Sequence, residues 1–129
     1  MKKNIEIKIR GYHLDFYGHV NNARYLEFLE EARWEAYGTV INSDFFKKNG
    51  ISFIVVNINI NYRIPATIDQ NIIIESSIKK VGNKSITVYQ NIILKETGKT
   101  TADADVTCVL IDKAGKPVAI TEELKDMFC

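Results

Sequence analysis

One long helix-forming segment limits what this chain can fold into more than any other feature, because its other long segments have the character of β-strands. From residue 22 to Gly38 nothing interrupts a helix, and apolar side chains recur at steps of three and four residues. These side chains are Tyr25, Phe28, Leu29, Ala32 and Ala36. The amide of Asn21 or Asn22 can cap the start, and Gly38 is expected to end the helix.

Alternating apolar and polar residues predict strands before and after this helix. One strand precedes it, at residues 4–11, where three isoleucines alternate with charged residues. Four strands follow it, at residues 52–64, 71–81, 84–96 and 99–111. Turn residues at Gly82-Asn83 and Thr97-Gly98 join the last three strands as antiparallel hairpins. Short helices are expected within residues 42–50 and 121–128.

The strand at residues 52–64 has two distinct sets of side chains. The alternation predicts one apolar face made of Ile54, Val56, Ile58, Ile60 and Tyr62. The opposite face carries three asparagines, at positions 57, 59 and 61, although Asn has low β-propensity. Two explanations are open: these amides are solvated, or they form hydrogen bonds across a subunit interface.

An antiparallel sheet with one apolar face needs a cover, and the early helix is the only predicted element long enough to provide it. We therefore expect one α+β domain over residues 1–129. In it, a curved antiparallel five-stranded sheet wraps around one long central helix. Apolar and amide side chains on the second face of the strands also suggest that the chain dimerises.

Composition and charge argue against several classes of partner. The 129 residues include 17 basic and 16 acidic side chains, so the net charge of +1 would not attract nucleic acid or an anionic membrane. The first residues have no apolar core of a signal peptide, and no apolar run is long enough to span a bilayer. We therefore expect a cytoplasmic protein. The two cysteines, Cys108 and Cys129, have neither disulfide-framework nor zinc-site spacing.

Most known catalytic motifs are missing from the sequence. It has no G-x-S-x-G elbow, no phosphate-binding glycine loop and no H-E-x-x-H pair, so we expect neither a metal nor a cofactor.

The remaining candidate for a catalytic residue is Asp15, just before the predicted helix. Asp15 either caps a turn, as Asp often does, or takes part in chemistry. Amides at a helix start can polarise a carbonyl, and a nearby carboxylate can then act as nucleophile or activate water. A thioester suits this arrangement because its thiolate leaves without strong acid assistance.

The segment D-x-x-G-H-V-N-N at residues 15–22, followed by Tyr25, resembles the hotdog-fold acyl-CoA thioesterases of the 4-hydroxybenzoyl-CoA thioesterase type. The similarity covers nearly the whole chain and points to the bacterial long-chain acyl-CoA thioesterases within that family. It includes residues 11–15, 23–34, 55–63, 82–85 and 102–112.

The resemblance implies a hotdog fold and hydrolysis of acyl-CoA to a free fatty acid and CoA. It implies that Asp15 is the catalytic carboxylate and that the backbone N–H of Asn22 polarises the thioester carbonyl. It also implies a homodimer or homotetramer with active sites at subunit interfaces.

Five further residues are candidates for substrate binding. His19 either orients Asp15 through a ring N–H or has a structural role, and Asn21 is expected to cap the helix. Tyr25 either lines an acyl tunnel or belongs to the core. Lys80 and Lys84 flank the Gly82-Asn83 turn and either contact CoA phosphates or are solvated.

Three functions are compatible with these residues. The favoured one is hydrolysis of medium- to long-chain fatty acyl-CoA, with Asp15 as general base or nucleophile. The alternative is a module that binds acyl-CoA or fatty acids without catalysis, which would have no need of a carboxylate beside the thioester. A dehydratase acting on 3-hydroxyacyl thioesters is less well supported, because no pairing of a histidine with a carboxylate on another element is evident.

Overall fold

In the computed structural model, which describes residues 2–129, one antiparallel sheet packs around one long helix. The strands are β1 (Lys3–Lys8), β2 (Ser52–Tyr62), β3 (Asn71–Val81), β4 (Ser85–Leu94) and β5 (Thr100–Ile111). The helices are α1 (Asn22–Ile41), α2 (Asp44–Asn49) and α3 (Glu122–Phe128), and a 3₁₀ turn covers Gly11–His13. The strand order is β1-β3-β4-β5-β2, so β1 and β2 form the two edges of the sheet. The predicted α+β architecture, with the sheet around a central helix, is confirmed.

Helix α1 packs its apolar stripe against the inward face of the sheet. Tyr25, Phe28, Leu29 and Ala32 are each at most 5% exposed, and they share one cluster with inward residues of β3, β4 and β5. A second cluster joins the end of α1 to α2, α3 and the far ends of the strands. Within residues 2–129, no helix is both long and apolar enough to cross a membrane.

The start of α1 agrees with the prediction, but its end does not. The side-chain oxygen of Asn21 accepts a hydrogen bond from the amide of Ala23 at 2.9 Å, so Asn21 is the predicted cap. Gly38, however, does not end the helix, which continues to Ile41. The extra turn is retained because Val40 and Ile41 pack against the second cluster, and this burial outweighs the low helix propensity of glycine. The side chain of Asn42 then donates to the carbonyl of Gly38 at 3.0 Å.

Strand β2 contains a β-bulge that the alternating pattern did not reveal. Val55 lies opposite Cys108 in β5, and Asn57 lies opposite Thr107, the next residue in the partner strand. Val56 is therefore an extra residue in β2. An extra residue shifts the alternation of side chains by one position.

The predicted apolar face of β2 is consequently wrong in its first half. Ile58 and Ile60 pack against the core as predicted, but upstream of the bulge the inward residue is Phe53. Ile54 and Val56 are 41% and 57% exposed. Both belong to the outer surface at the edge of the sheet.

The remaining elements agree with prediction to within a few residues. Strand β3 has the predicted bounds, β4 is shorter at both ends, β5 begins one residue late, and β2 ends at Tyr62. The inward face of β5 is buried as its small and apolar residues suggested. In α2, Ser43 caps the start and Gly50 ends the helix with φ of 61°.

Candidate active site

Asp15 is the first residue of a hydrogen-bonded five-residue turn, and its own side chain stabilises this turn. The amide of Asp15 donates to the carbonyl of His19 at 2.8 Å, and the amide of Gly18 donates to the carbonyl of Asp15 at 3.2 Å. Asp15 Oδ1 accepts from the amides of Tyr17 at 2.8 Å and His19 at 3.2 Å. Gly18 has φ of 78°, a conformation that favours glycine. Within residues 2–129, Oδ2 of Asp15 has no hydrogen-bond partner, so one carboxylate oxygen remains available.

The start of α1 is fixed directly behind this turn. The amide of Val20 donates to the carbonyl of Ala66, and the amide of Asn21 donates to the carbonyl of His13, each at 2.9 Å. The Asn21 side chain satisfies the amide of Ala23. The amide N–H of Asn22 donates to no acceptor in the described part of the chain, and as the first residue of a 20-residue helix it carries partial positive charge. It is a free, oriented hydrogen-bond donor.

Asp15, His19, Asn22 and Tyr25 line one cleft of about 290 Å³. The opposite wall is the segment from Tyr62 to Pro65, at the end of β2. A carboxylate and a free helix-start amide therefore border the same space.

Two tyrosines connect the wall of the cleft to the helix start. The Tyr62 hydroxyl donates to the carbonyl of Asn22 at 3.1 Å, and the rings of Tyr25 and Tyr62 lie 5.5 Å apart. Burial raises the pKa of both phenols, so each stays neutral at physiological pH. Tyr25 is 4% exposed and belongs to the core, as one of its two predicted alternatives has it, and it also lines the cleft.

His19 contacts Asp15 through its backbone rather than through its ring. Its amide donates to Asp15 Oδ1, and His19 lines the cleft, but its ring makes no hydrogen bond within residues 2–129. The buried histidine is His13, whose Nδ1 accepts from the amide of Arg10 at 2.8 Å. Burial lowers the pKa of His13, which favours its neutral form. His13 thus has the structural role that was one alternative for His19.

Lys80 and Lys84 lie far from Asp15 within one chain. Both are exposed at the β3–β4 turn, whereas the cleft adjoins the segment that leads into Asn71 at the opposite end of β3. From Asn71 to Lys80 a strand extends roughly 30 Å. A single chain does not bring these two lysines to the cleft.

Tyr62 and Arg63 are cleft residues that sequence reasoning missed. Arg63 forms two hydrogen bonds to the Asp103 carboxylate, at 2.9 and 3.2 Å, and these bonds lower the pKa of Asp103. No local motif marks either residue. Their position depends on β2 ending beside the start of α1, which is a contact between segments forty residues apart.

A second turn in the molecule has the same construction as the Asp15 turn. Asp112 Oδ1 accepts from the amides of Ala114 at 2.9 Å and Lys116 at 3.0 Å, and Gly115 has φ of 78°. The backbone hydrogen bonds also match, because the amide of Asp112 donates to the carbonyl of Lys116 and the amide of Gly115 donates to that of Asp112. This second turn is an exposed connection after β5. The hydrogen bonds of Asp15 therefore define a turn, and its distinguishing feature is the adjacent helix start and cleft.

Comparison with known proteins gives one consistent family. Residues 9–128 match the model of the thioesterase-like superfamily. The chain is 50% identical over 125 residues to the long-chain acyl-CoA thioesterase FadM of Escherichia coli, covering 94% of this chain and 92% of that protein. It is 30% identical to the acyl-CoA thioesterase YbgC of Haemophilus influenzae, over 86% and 82% of the two chains. The crystal structure of the probable thioesterase YbaW from Escherichia coli superimposes with a TM-score of 0.87 at 48% identity, covering 96% of this chain and 94% of that one.

Proposed function

The chain belongs to the thioesterase-like superfamily, and we propose that it hydrolyses medium- to long-chain fatty acyl-CoA to a free fatty acid and CoA. The observation that carries this proposal is the cleft shared by the Asp15 carboxylate and the free amide of Asn22. The relationship to FadM, a long-chain acyl-CoA thioesterase, supports the substrate class.

In the proposed reaction, the thioester carbonyl oxygen accepts a hydrogen bond from the amide of Asn22. The helix start stabilises the negative charge that develops on this oxygen. Asp15 acts through Oδ2, because Oδ1 is occupied by the amides of Tyr17 and His19. As a general base, Asp15 removes a proton from water while the water oxygen bonds to the carbonyl carbon. The C–S bond then breaks, and the CoA thiolate takes up the proton that Asp15 removed from water.

A nucleophilic route uses the same groups. Oδ2 of Asp15 attacks the carbonyl carbon, the thiolate leaves, and water hydrolyses the resulting mixed anhydride to fatty acid and free carboxylate. Incorporation of solvent oxygen-18 into Asp15 in a single turnover would identify this route.

We assign supporting roles to the other candidates in the cleft. Asn21 fixes the helix start, Tyr25 forms the wall beside the acyl group, and the ring of His19 contacts the substrate from the turn. Lys80 and Lys84 are proposed to contact CoA phosphates bound at the cleft of a neighbouring subunit, because they are exposed and distant from the cleft of their own chain.

We further propose that the enzyme is a homodimer or homotetramer with interface active sites. The support is the exposed edge of β2, where Ile54, Val55 and Val56 are each at least 39% exposed. An uncovered apolar edge strand favours pairing with another strand. The same strand ends at Tyr62, so pairing there would bring a second copy close to the cleft.

The test compares Asp15→Asn with Asp112→Asn. In both variants the side-chain oxygen that holds the turn is retained, so both turns should keep their conformation. We expect Asp15→Asn to lower the rate of CoA release from acyl-CoA by about 10² to 10⁴-fold, as loss of a general base does. Asp112→Asn should have the wild-type rate.

The assay uses acyl-CoA substrates of increasing chain length, with circular dichroism to confirm folding. A full rate in Asp15→Asn would contradict the catalytic role. Tight binding of acyl-CoA by wild type without turnover would instead favour the non-catalytic binding module.

A further inference from the structure

A second cleft lies at the opposite end of α1 from Asn22. It has a volume of about 200 Å³ and lies between the helix and β2. Its lining residues are Glu30, Arg33, Trp34, Ile41, Phe53 and Val55. Four of these six side chains are apolar, and the other two carry opposite charges. The proposed hydrolysis does not use any of them.

Arg33 is the unusual residue in this cleft, because it is a largely buried arginine without a counter-ion. It is 7% exposed, and no carboxylate lies within 4.0 Å of it in residues 2–129. Its Nη1 donates to Oε1 of Gln90 at 2.9 Å. Gln90 is held in turn by donating to the carbonyl of Leu29 at 3.0 Å and to Ser76 Oγ at 2.9 Å. Arg33 is thus held in place through one N–H, and its other N–H groups have no acceptor in the described part of the chain.

Glu30 provides the complementary group. It lies one helical turn before Arg33, is exposed, and lines the same cleft. Buried charged groups are ordinarily hydrogen-bonded or paired, so the open donors of Arg33 favour a polar ligand. An apolar cleft lined by both a donor and an acceptor suits a hydroxyl group, which accepts one hydrogen bond and donates another.

An uncovered row of helix residues connects the two clefts. Asn22, Leu26, Glu30 and Trp34 follow each other at four-residue intervals and therefore form one inclined row along α1. Leu26 and Trp34 are 38% and 49% exposed. Strand β2 runs in the opposite direction along this row, since Tyr62 contacts Asn22 while Phe53 lies in the far cleft.

The spacing between the clefts matches a fatty acyl chain. From Asn22 to Arg33 the helix rises roughly 16 Å, about the length of an extended chain of 12 to 14 carbons. A thioester whose carbonyl is at Asn22 would therefore place the end of such a chain at Arg33 and Glu30.

From these contacts we infer that the far cleft recognises a hydroxyl group at the end of the acyl chain, so that ω-hydroxyacyl-CoA of about 12 carbons is a preferred substrate. The inference rests on the proposed function. An N–H of Arg33 would donate to the hydroxyl oxygen, and the hydroxyl would donate to the Glu30 carboxylate. A methyl end would leave both charged groups without a new partner. A carboxylate end would be attracted by Arg33 and repelled by Glu30.

The experiment compares three thioesters of equal chain length: dodecanoyl-CoA, ω-hydroxydodecanoyl-CoA and the CoA monothioester of dodecanedioic acid. For wild type we expect kcat/KM to be about 10-fold higher for the hydroxy substrate than for the other two, as one matched polar contact provides. Glu30→Leu should lose this preference, and Glu30→Gln should keep part of it because the amide oxygen still accepts. Glu31→Leu, at the neighbouring exposed position, should keep all of it.

Binding of the same three thioesters to Asp15→Asn, measured by calorimetry, reports recognition without hydrolysis. Equal affinities and equal kcat/KM for the hydroxy and methyl substrates would overturn the inference while leaving the thioesterase proposal intact. So would a preference for the dicarboxylic substrate, or an unchanged hydroxyl preference in Glu30→Leu. If wild type hydrolyses none of the three, the proposed function fails, and the calorimetric affinities still decide whether the cleft recognises the hydroxyl.

Discussion

Asp15 uses only one of its two carboxylate oxygens to hold its turn. Oδ1 holds the turn through two amides, and Oδ2 has no partner within residues 2–129. Asp112 makes the same pair of hydrogen bonds in an exposed turn. The molecule therefore contains a matched pair of turns, of which one adjoins a helix start.

Gly18 and Gly115 allow the contribution of the turn to be separated from that of the site. Both have φ of 78°, and outside the immediate neighbours no atom of residues 2–129 lies within 4 Å of where a β-carbon would sit. Gly18→Ala and Gly115→Ala should each reduce the free energy of unfolding by about 1 to 2 kcal/mol, the strain of a left-handed alanine. Urea unfolding measures this loss.

Only Gly18→Ala should also affect catalysis. A displaced turn moves Asp15 relative to Asn22, and displacements of about 1 Å can cost up to about 10²-fold in rate. If Gly115→Ala lowers the rate of CoA release as much as Gly18→Ala does, the activity loss reflects general destabilisation and not the position of Asp15.

The same residues show why the sequence left the role of Asp15 open. A D-x-x-G turn is specified locally, so its occurrence before the helix could be predicted, as could the cap at Asn21. The location of the cleft could not, because its far wall is Tyr62 and Arg63, which long-range folding brings to the helix start.

At the scale of the elements, strand β2 shows the limit of reasoning from periodicity. Two apolar residues in succession, Val55 and Val56, fit either face of a strand, so the alternation could be followed across them without a visible break. The bulge is visible only in the pairing with β5. Strand bounds are less sensitive to such shifts, since β3 also has a register shift in its pairing with β4, between Ile78 and Lys80, yet its bounds were predicted as observed.

The contact between α1 and α3 contains a polar atom with no hydrogen bond. Tyr37 of α1 packs against Phe128 of α3 with ring centroids 5.9 Å apart, and its buried hydroxyl has no partner in residues 2–129. Removing such a group avoids its desolvation cost. Tyr37→Phe should therefore be neutral or raise the free energy of unfolding by about 1 kcal/mol, measured by urea unfolding at neutral pH.

Ionisation of Tyr37 should also make the free energy of unfolding depend on pH in the alkaline range. Burial raises the pKa of Tyr37 to about 12. An unfolded tyrosine titrates near pH 10, so between about pH 10 and 12 the unfolded chain ionises while the folded chain stays neutral. Ionisation of Tyr37 therefore leaves the free energy of unfolding unchanged below pH 10 and lowers it as pH rises through this window.

The measurement compares wild type with Tyr37→Phe at about pH 8 and pH 11, where wild type should lose about 1 kcal/mol more than the variant. Tyr17→Phe is the control because Tyr17 is 82% exposed. Equal losses in wild type and Tyr37→Phe would contradict the assignment.

At the scale of the whole molecule, the apolar edge of β2 leads to a prediction about assembly. A lysine at an edge strand disfavours pairing with another strand because the charge must stay solvated. Val56→Lys should therefore shift the protein towards monomer and, if the active sites lie at the interface, lower CoA release as well. Ala119→Lys adds the same charge at another exposed position and should leave assembly unchanged.

Sedimentation velocity over a range of protein concentrations gives the mass of each variant. A wild-type monomer at micromolar concentration would contradict the proposed oligomer. If Val56→Lys forms an oligomer as stable as that of the wild type, the subunits do not contact each other through the edge of β2.

The two edges of the sheet differ in a way that limits how far assembly can proceed. β1 is six residues long, and ion pairs lie at it and just before it, from Glu6 to Lys95 at 3.0 Å and from Lys2 to Glu75 at 3.6 Å. A charged edge resists further strand addition, whereas β2 favours it. Each chain thus has one sheet edge that favours strand pairing, β2, and one that disfavours it, β1. Two copies joined through β2 would have only β1 as the unpaired strand at either edge of their sheet. Further strand pairing would be disfavoured there, so the pair would not grow into an open fibre. A larger assembly would have to stack sheets or helices instead.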